Sequence, residues 1–175
     1  VHRLRSELAL AAGKAEEVLA AAVEDGDGAA EREALHELGS LALAQGDLAA
    51  ARTWLAAARE AAVRGNDELA IARADADLGR TELLLGGELT SATSLLERAL
   101  ARFERLGATG DALGARIDLA EALLMTSTLA SQPRPGNGRD GKKLDRPRAL
   151  RVAARALDLV ADAPRIAASL GRGPR

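Results

Sequence analysis

Apolar residues recur along this chain at three- and four-residue steps, in blocks separated by glycine, asparagine and aspartate. Leu35, Leu38 and Ala42 share one side of a helix predicted from about Ala29 to Gln45, and Ala51, Leu55, Ala58 and Ala62 share one side of another from Leu48 to Arg64. Gly46-Asp47 lies between them with both signals the junction needs: a glycine able to take the left-handed conformation that ends one helix, and an aspartate able to cap the next. Gly65-Asn66-Asp67 repeats that signal, so helices are expected over 68–85 and 89–106, a turn over 107–110 and a helix over 111–129. Upstream, Leu4, Leu8, Ala11 and Ala12 form one apolar stripe and Val18, Leu19, Ala22 and Val23 another. Gly13 falls between the two stripes, which predicts a short N-terminal hairpin closed by the turn Asp25-Gly26-Asp27-Gly28.

The blocks repeat. Leu38-Gly39, Gly46, Ala51, Leu55 and Ala58 are followed about 40 residues later by Leu78-Gly79, Gly86, Ala92, Leu96 and Ala99. A third copy starts at Leu119-Ala120, but residues 131–146 hold two prolines, three glycines and almost nothing apolar where its turn is due, and read as a flexible loop. Pro147 suits the first turn of the helix that follows, whose Ala149, Ala153, Ala156 and Val160 restore the small-residue stripe. A fixed period of this size is the mark of stacked helical hairpins. The expected architecture is all-α: a right-handed solenoid of about four antiparallel hairpins in a single domain over 1–175. Its parts are an N-terminal hairpin over 1–27, repeats over 28–66, 67–109 and 110–163, and a short helix and tail over 164–175.

Composition favours the same answer. Apolar residues make up 47% of the chain, most of them Leu and Ala, and Trp54 and Phe103 are the only aromatics. Leu and Ala with few β-branched residues favour helix, and Ala lets helix axes approach closely. Charge is divided unevenly: residues 1–130 carry 13 basic and 22 acidic side chains, whereas 131–175 carry 11 and 4. An acidic array therefore precedes a basic segment.

The repeated positions resemble the tetratricopeptide repeat family: Leu-Gly in a first helix, Gly near the turn, then Ala, a large apolar residue and Ala in a second. The period of 40 to 41 residues exceeds the usual ~34 and is similar to the long form found in actinobacterial multidomain regulators. The resemblance implies a protein–protein interaction module with a regulatory or scaffolding role, located in the cytoplasm. It also implies a concave face lined by the first helix of each hairpin. Carried onto this chain, the groove positions are Glu33, His36, Ser40 and Leu43, then Arg73, Ala76, Asp77, Arg80 and Leu83, then Ile117, Asp118, Glu121 and Leu124. The expected partner is a protein or peptide, a second copy of the chain included. The alternative is a ligand-sensing segment of a larger bacterial transcription regulator.

Catalysis and cofactors are not expected. His36-Glu37-Leu38-Gly39-Ser40 approaches a zinc-protease motif, but its second histidine is Ser40. Gly136 to Lys143 approaches a phosphate-binding loop, but Lys143 stands where a magnesium-binding hydroxyl is required and no buried strand precedes it. The absence of cysteine excludes disulfides and thiolate metal sites. No run of about 18 apolar residues suits a membrane, and the basic segment has no aromatic residues to stack on bases, so nucleic acid is disfavoured as a partner of this chain alone. The carboxylate pairs Asp75/Asp77 and Asp118/Glu121 have no His, Tyr or Cys beside them in sequence and read as a solvated or partner-facing edge.

Overall fold

The computed structural model describes residues 2–130 and 146–161, together with Ala163, Pro164 and Ala168. Seven helices are present among the described residues: α1 (His2–Asp25), α2 (Gly28–Gln45), α3 (Leu48–Arg64), α4 (Glu68–Leu84), α5 (Leu89–Leu106), α6 (Thr109–Ala130) and α7 (Arg146–Ala161). Each packs on the next in chain order, and α2 and α6 also touch α4 from either side. The chain is therefore an all-α array of sequentially stacked helices. No described helix is long and apolar enough to cross a membrane.

Local chemistry sets the helix ends. Asp27, Asp47 and Asp67 each accept a hydrogen bond from a backbone N–H in the first turn of the helix they precede, at 3.0 Å from Ala29, Ala50 and Ala70 respectively. Gly46 takes φ +79° after α2, which lets Asp47 N–H reach back to Ala42 O at 2.9 Å. After α3 the left-handed residue is Asn66, with φ +51°, rather than Gly65. Glu31 opens α2 and Arg64 closes α3, and they pair at 2.8 Å; Glu68 opens α4 and Arg105 closes α5, and they pair at 2.7 Å. These two hairpins thus tie an acid near one helix N-terminus to a base near its partner's C-terminus, the arrangement helix dipoles favour.

The expected N-terminal hairpin over 1–27 is instead the single helix α1. Gly13 does not break it. Glycine inside a helix costs about 0.5–1 kcal/mol, and Lys14, Ala15, Glu16 and Glu17 that follow are good helix formers with no capping residue among them. Of the three apolar clusters in this half, the one centred on Ala15, Leu38 and Leu41 receives Leu8, Ala12 and Leu19 from α1. Trp54 on α3 is partly buried and touches all three.

The larger core runs from α4 to α7 around Phe103, Leu96, Leu100, Leu119 and Leu123. Helix α7 packs on α6 and buries Ala156, with Val152 and Val160 against the same core, so it fills the place of the third repeat's second helix. Of the expected loop over 131–146, Arg146 instead opens α7 and residues 131–145 lie outside the described residues; of the expected short helix over 165–170, Ala168 alone is described.

Two glycines permit the close stacking. A Cβ on Gly39 would sit 2.6 Å from Leu55 Cγ and Cδ2, and one on Gly79 would sit 2.7 Å from Leu96 Cγ. Leu55 and Leu96 are both fully buried, so each repeat uses a glycine on its first helix to receive the leucine of its second.

Candidate functional site

Helix α4 lies between α2 and α6, and this places the first helices of successive hairpins side by side. Residues 73, 77 and 80 share one face of α4 by helical spacing. That face meets α2 through His36, whose Nε2 lies 2.9 Å from Asp77 Oδ2. Nε2 is shut off from solvent and the approach lacks the alignment of a hydrogen bond, so the contact works through charge when the imidazole is protonated. On the other side Asp118 of α6 lies within the fields of Arg80, Asp77 and Glu121. Burial pushes the Asp118 carboxyl above the usual carboxylate range, and the nearby carboxylates add to the rise while Arg80 opposes it.

Nine of the ten arginines from Arg32 to Arg116 have a carboxylate oxygen within 4.0 Å. Arg80 is the tenth; it is exposed at the middle of the array, and Asp118 beside it is half-buried without a hydrogen bond or ion pair among the described residues. Ile117 and Leu124 flank them on α6, 48% and 46% exposed. Unpaired charge and bare apolar surface therefore occur together here.

At the N-terminal ends of α2 and α4 a cavity of about 300 Å³ opens. Arg32, Glu33, His36 and Arg73 line it over an apolar floor that includes Ala58 and Leu69. Arg32 is bound to Asp67 at 3.2 Å and Arg73 to Asp111 at 3.3 Å. The backbone N–H of Ala70 and the Arg32 guanidinium together hold the Asp67 carboxyl below the usual carboxylate range.

Among the groove positions expected from the repeat, His36, Asp77, Arg80, Asp118 and Glu121 come together, Glu33 and Arg73 line the cavity, and Ile117 and Leu124 are exposed. Ser40 is partly buried, and Leu43 and Ala76 are partly buried against the core clusters. Leu83 departs from expectation: it is 7% exposed and belongs to the α4–α7 core, because it turns away from the face that carries Asp77 and Arg80.

Asp75 is the second departure. Read as part of a solvated edge, it is fully buried. Arg59 Nε of α3 donates to its Oδ1 at 2.6 Å and Arg102 Nη1 of α5 to its Oδ2 at 3.0 Å, with Arg98 Nε 3.6 Å away. Glu68, Asp75 and Glu82 recur every seven residues on α4, and Glu82 meets Arg52 at 3.1 Å. That seven-residue row of acids, between Arg52/Arg59 on one neighbour and Arg98/Arg102/Arg105 on the other, was the sequence signal for the cluster. Among the described residues no group of three His, Cys, Asp or Glu is placed to hold a metal ion. No protein-family model matches the chain, and no curated protein matches it.

Proposed function

We propose that this chain is a protein-interaction module of the tetratricopeptide type, with a regulatory or scaffolding role, that holds a peptide or protein partner against the face formed by α2, α4 and α6. The observation that carries this reading is Arg80: among the described residues it stands unpaired on the central helix while its nine counterparts are paired, beside Asp118, which is half-buried and likewise unpaired among them, and the exposed Ile117 and Leu124. A buried or half-buried charge without a partner is costly, and a partner supplying the counter-charge recovers that cost on binding. Exposed apolar side chains next to such charges suit an amphipathic segment better than a small buried ligand.

The test is affinity capture from an extract of the source cells with the wild-type chain and with an Arg80→Glu/Ile117→Ser variant. Both positions are exposed, so the variant should keep the wild-type circular dichroism spectrum and melting temperature. Binding should fall at least about tenfold for any specific partner, the loss expected when a central charged contact and an apolar contact are removed together. Partners recovered equally by both proteins would refute the assignment of this face.

A further inference from the structure

Helix α4 carries charge on two opposite sides. Asp77 and Arg80 belong to the face just described, while Glu68, Asp75 and Glu82, spaced by seven, lie on the other, between α3 and α5. On that second side the charges do not balance. Arg59, Arg98, Arg102 and Arg105 converge on only two carboxylates, Asp75 and Glu68. The other acids of α5 are engaged elsewhere: Glu97 holds Arg155 at 2.7 Å and Glu104 holds Arg116 at 2.6 Å. Glu60, next to Arg59, forms no ion pair among the described residues. Among the described residues, two positive charges are thus uncompensated in one patch.

The donors are as unbalanced as the charges. Each guanidinium carries five N–H groups. Arg59 uses Nε on Asp75, and both of its terminal nitrogens have no acceptor among the described residues. Arg98 gives Nη1 to Ser94 Oγ at 3.2 Å and turns Nε toward Asp75, which leaves Nη2. Arg102 gives Nε to Glu68 and Nη1 to Asp75, which again leaves Nη2. Asp75 is entirely buried beneath them, while the Arg59 and Arg98 side chains are 36% and 46% exposed. The buried carboxylate therefore holds the three guanidinium groups around one point, and their unused donors remain for an acceptor from solvent. Those donors come from α3 on one side and α5 on the other. A tetrahedral dianion with three free oxygens offers more acceptors to donors arriving from two helices than a planar monoanion with two does.

We propose that Arg59, Arg98 and Arg102, organised by the buried Asp75, form a binding site for a phosphoryl dianion on the side of α4 opposite the partner-binding face. The site does not depend on the function proposed for that face. Its ligand is inorganic phosphate or the phosphate of a phosphorylated side chain.

The experiment follows the arginine Nε–H signals of the full chain by NMR. Inorganic phosphate, O-phosphoserine, acetate and chloride are titrated at one ionic strength. Saturable shifts of the Arg59 and Arg98 signals are expected with phosphate, phosphoserine or both, and none with acetate or chloride. Equal or tighter binding of inorganic phosphate assigns the site to the free ion; tighter binding of phosphoserine assigns it to a modified side chain. Arg98→Gln removes an exposed donor without touching the hydrogen bonds from Arg59 and Arg102 to Asp75, and should weaken phosphate binding about tenfold or more while the chain melts as before. Arg64→Gln, whose arginine pairs with Glu31 outside this cluster, should bind as the wild type does. The proposal is overturned if neither phosphate probe gives a saturable shift, if acetate or chloride gives the same one, or if Arg98→Gln binds phosphate unchanged.

Discussion

Replacing Gly39 by alanine sets two effects of known size against each other. Alanine inside a helix is worth about 0.5–1 kcal/mol over glycine, because glycine loses more backbone freedom on folding. At Gly39 that gain meets Leu55: the new methyl would lie 2.6 Å from two of its side-chain carbons and 3.3 Å from its backbone nitrogen. Carbon atoms at their optimal separation are about 3.5–4.0 Å apart, so the overlap is about 1 Å. Leu55 is completely buried and packed with Ala42, Ala51 and Leu78, which leaves it no free volume to enter. Overpacking of this kind costs about 1–3 kcal/mol, so steric cost exceeds propensity and Gly39→Ala should lose roughly 0.5–2 kcal/mol. Gly13, in the middle of α1, is the internal control, since nothing lies within 4 Å of its would-be methyl. Gly13→Ala should gain about 0.5–1 kcal/mol. Urea and thermal melts followed by circular dichroism read both, at about 2–4 °C per kcal/mol for a chain of this size. A Gly39→Ala protein that melts at or above the wild type would refute the account of helix stacking through these glycines.

Two further outcomes follow from the charged groups. Asp75→Asn keeps the shape of a fully buried side chain but removes the charge that three arginines share, and should cost about 1–3 kcal/mol in urea denaturation; the cost stays below that of a fully buried pair because the arginines can swing into water, and a variant as stable as wild type would show that the cluster contributes nothing to stability. Burial raises the folded-state pKa of Asp118 above the usual carboxylate range, so the folded chain holds this proton more tightly than the unfolded chain. Its contribution is therefore most favourable below the unfolded-state pKa and declines as pH rises through the folded-state pKa. Asp118→Asn should accordingly be more stable than wild type at neutral pH, with the difference closing in acid; melts across that range that run parallel would contradict the burial of this carboxyl.

Much of the array was determined by short-range sequence. The aspartates at 27, 47 and 67 cap helices by bonding N–H groups two or three residues away, and the glycines and Asn66 beside them reverse the chain without outside help. Such contacts are local, so Leu48 to Arg64 and Leu89 to Leu106 were legible to the residue. The repeat at 38 and 78 also marked the glycines where a neighbouring helix comes close. Gly13 was misread because a lone glycine resembles a stop signal, whereas its outcome depends on the helix formers after it and on the packing of α1 against α2.

What only the tertiary structure decided is which charges meet. Asp75 and Asp77 are two residues apart and look equivalent in sequence, yet the 200° turn between them sends one to full burial among arginines and the other to His36 and the open face. Leu83 and Leu84 differ in the same way, 7% and 56% exposed. The arginines that decide the fate of Asp75 come from 16 residues before it and from 23 and 27 residues after it. Their arrival depends on how three helices stack, and the field at a carboxylate is set by the charges that surround it in space, not by its neighbours along the chain.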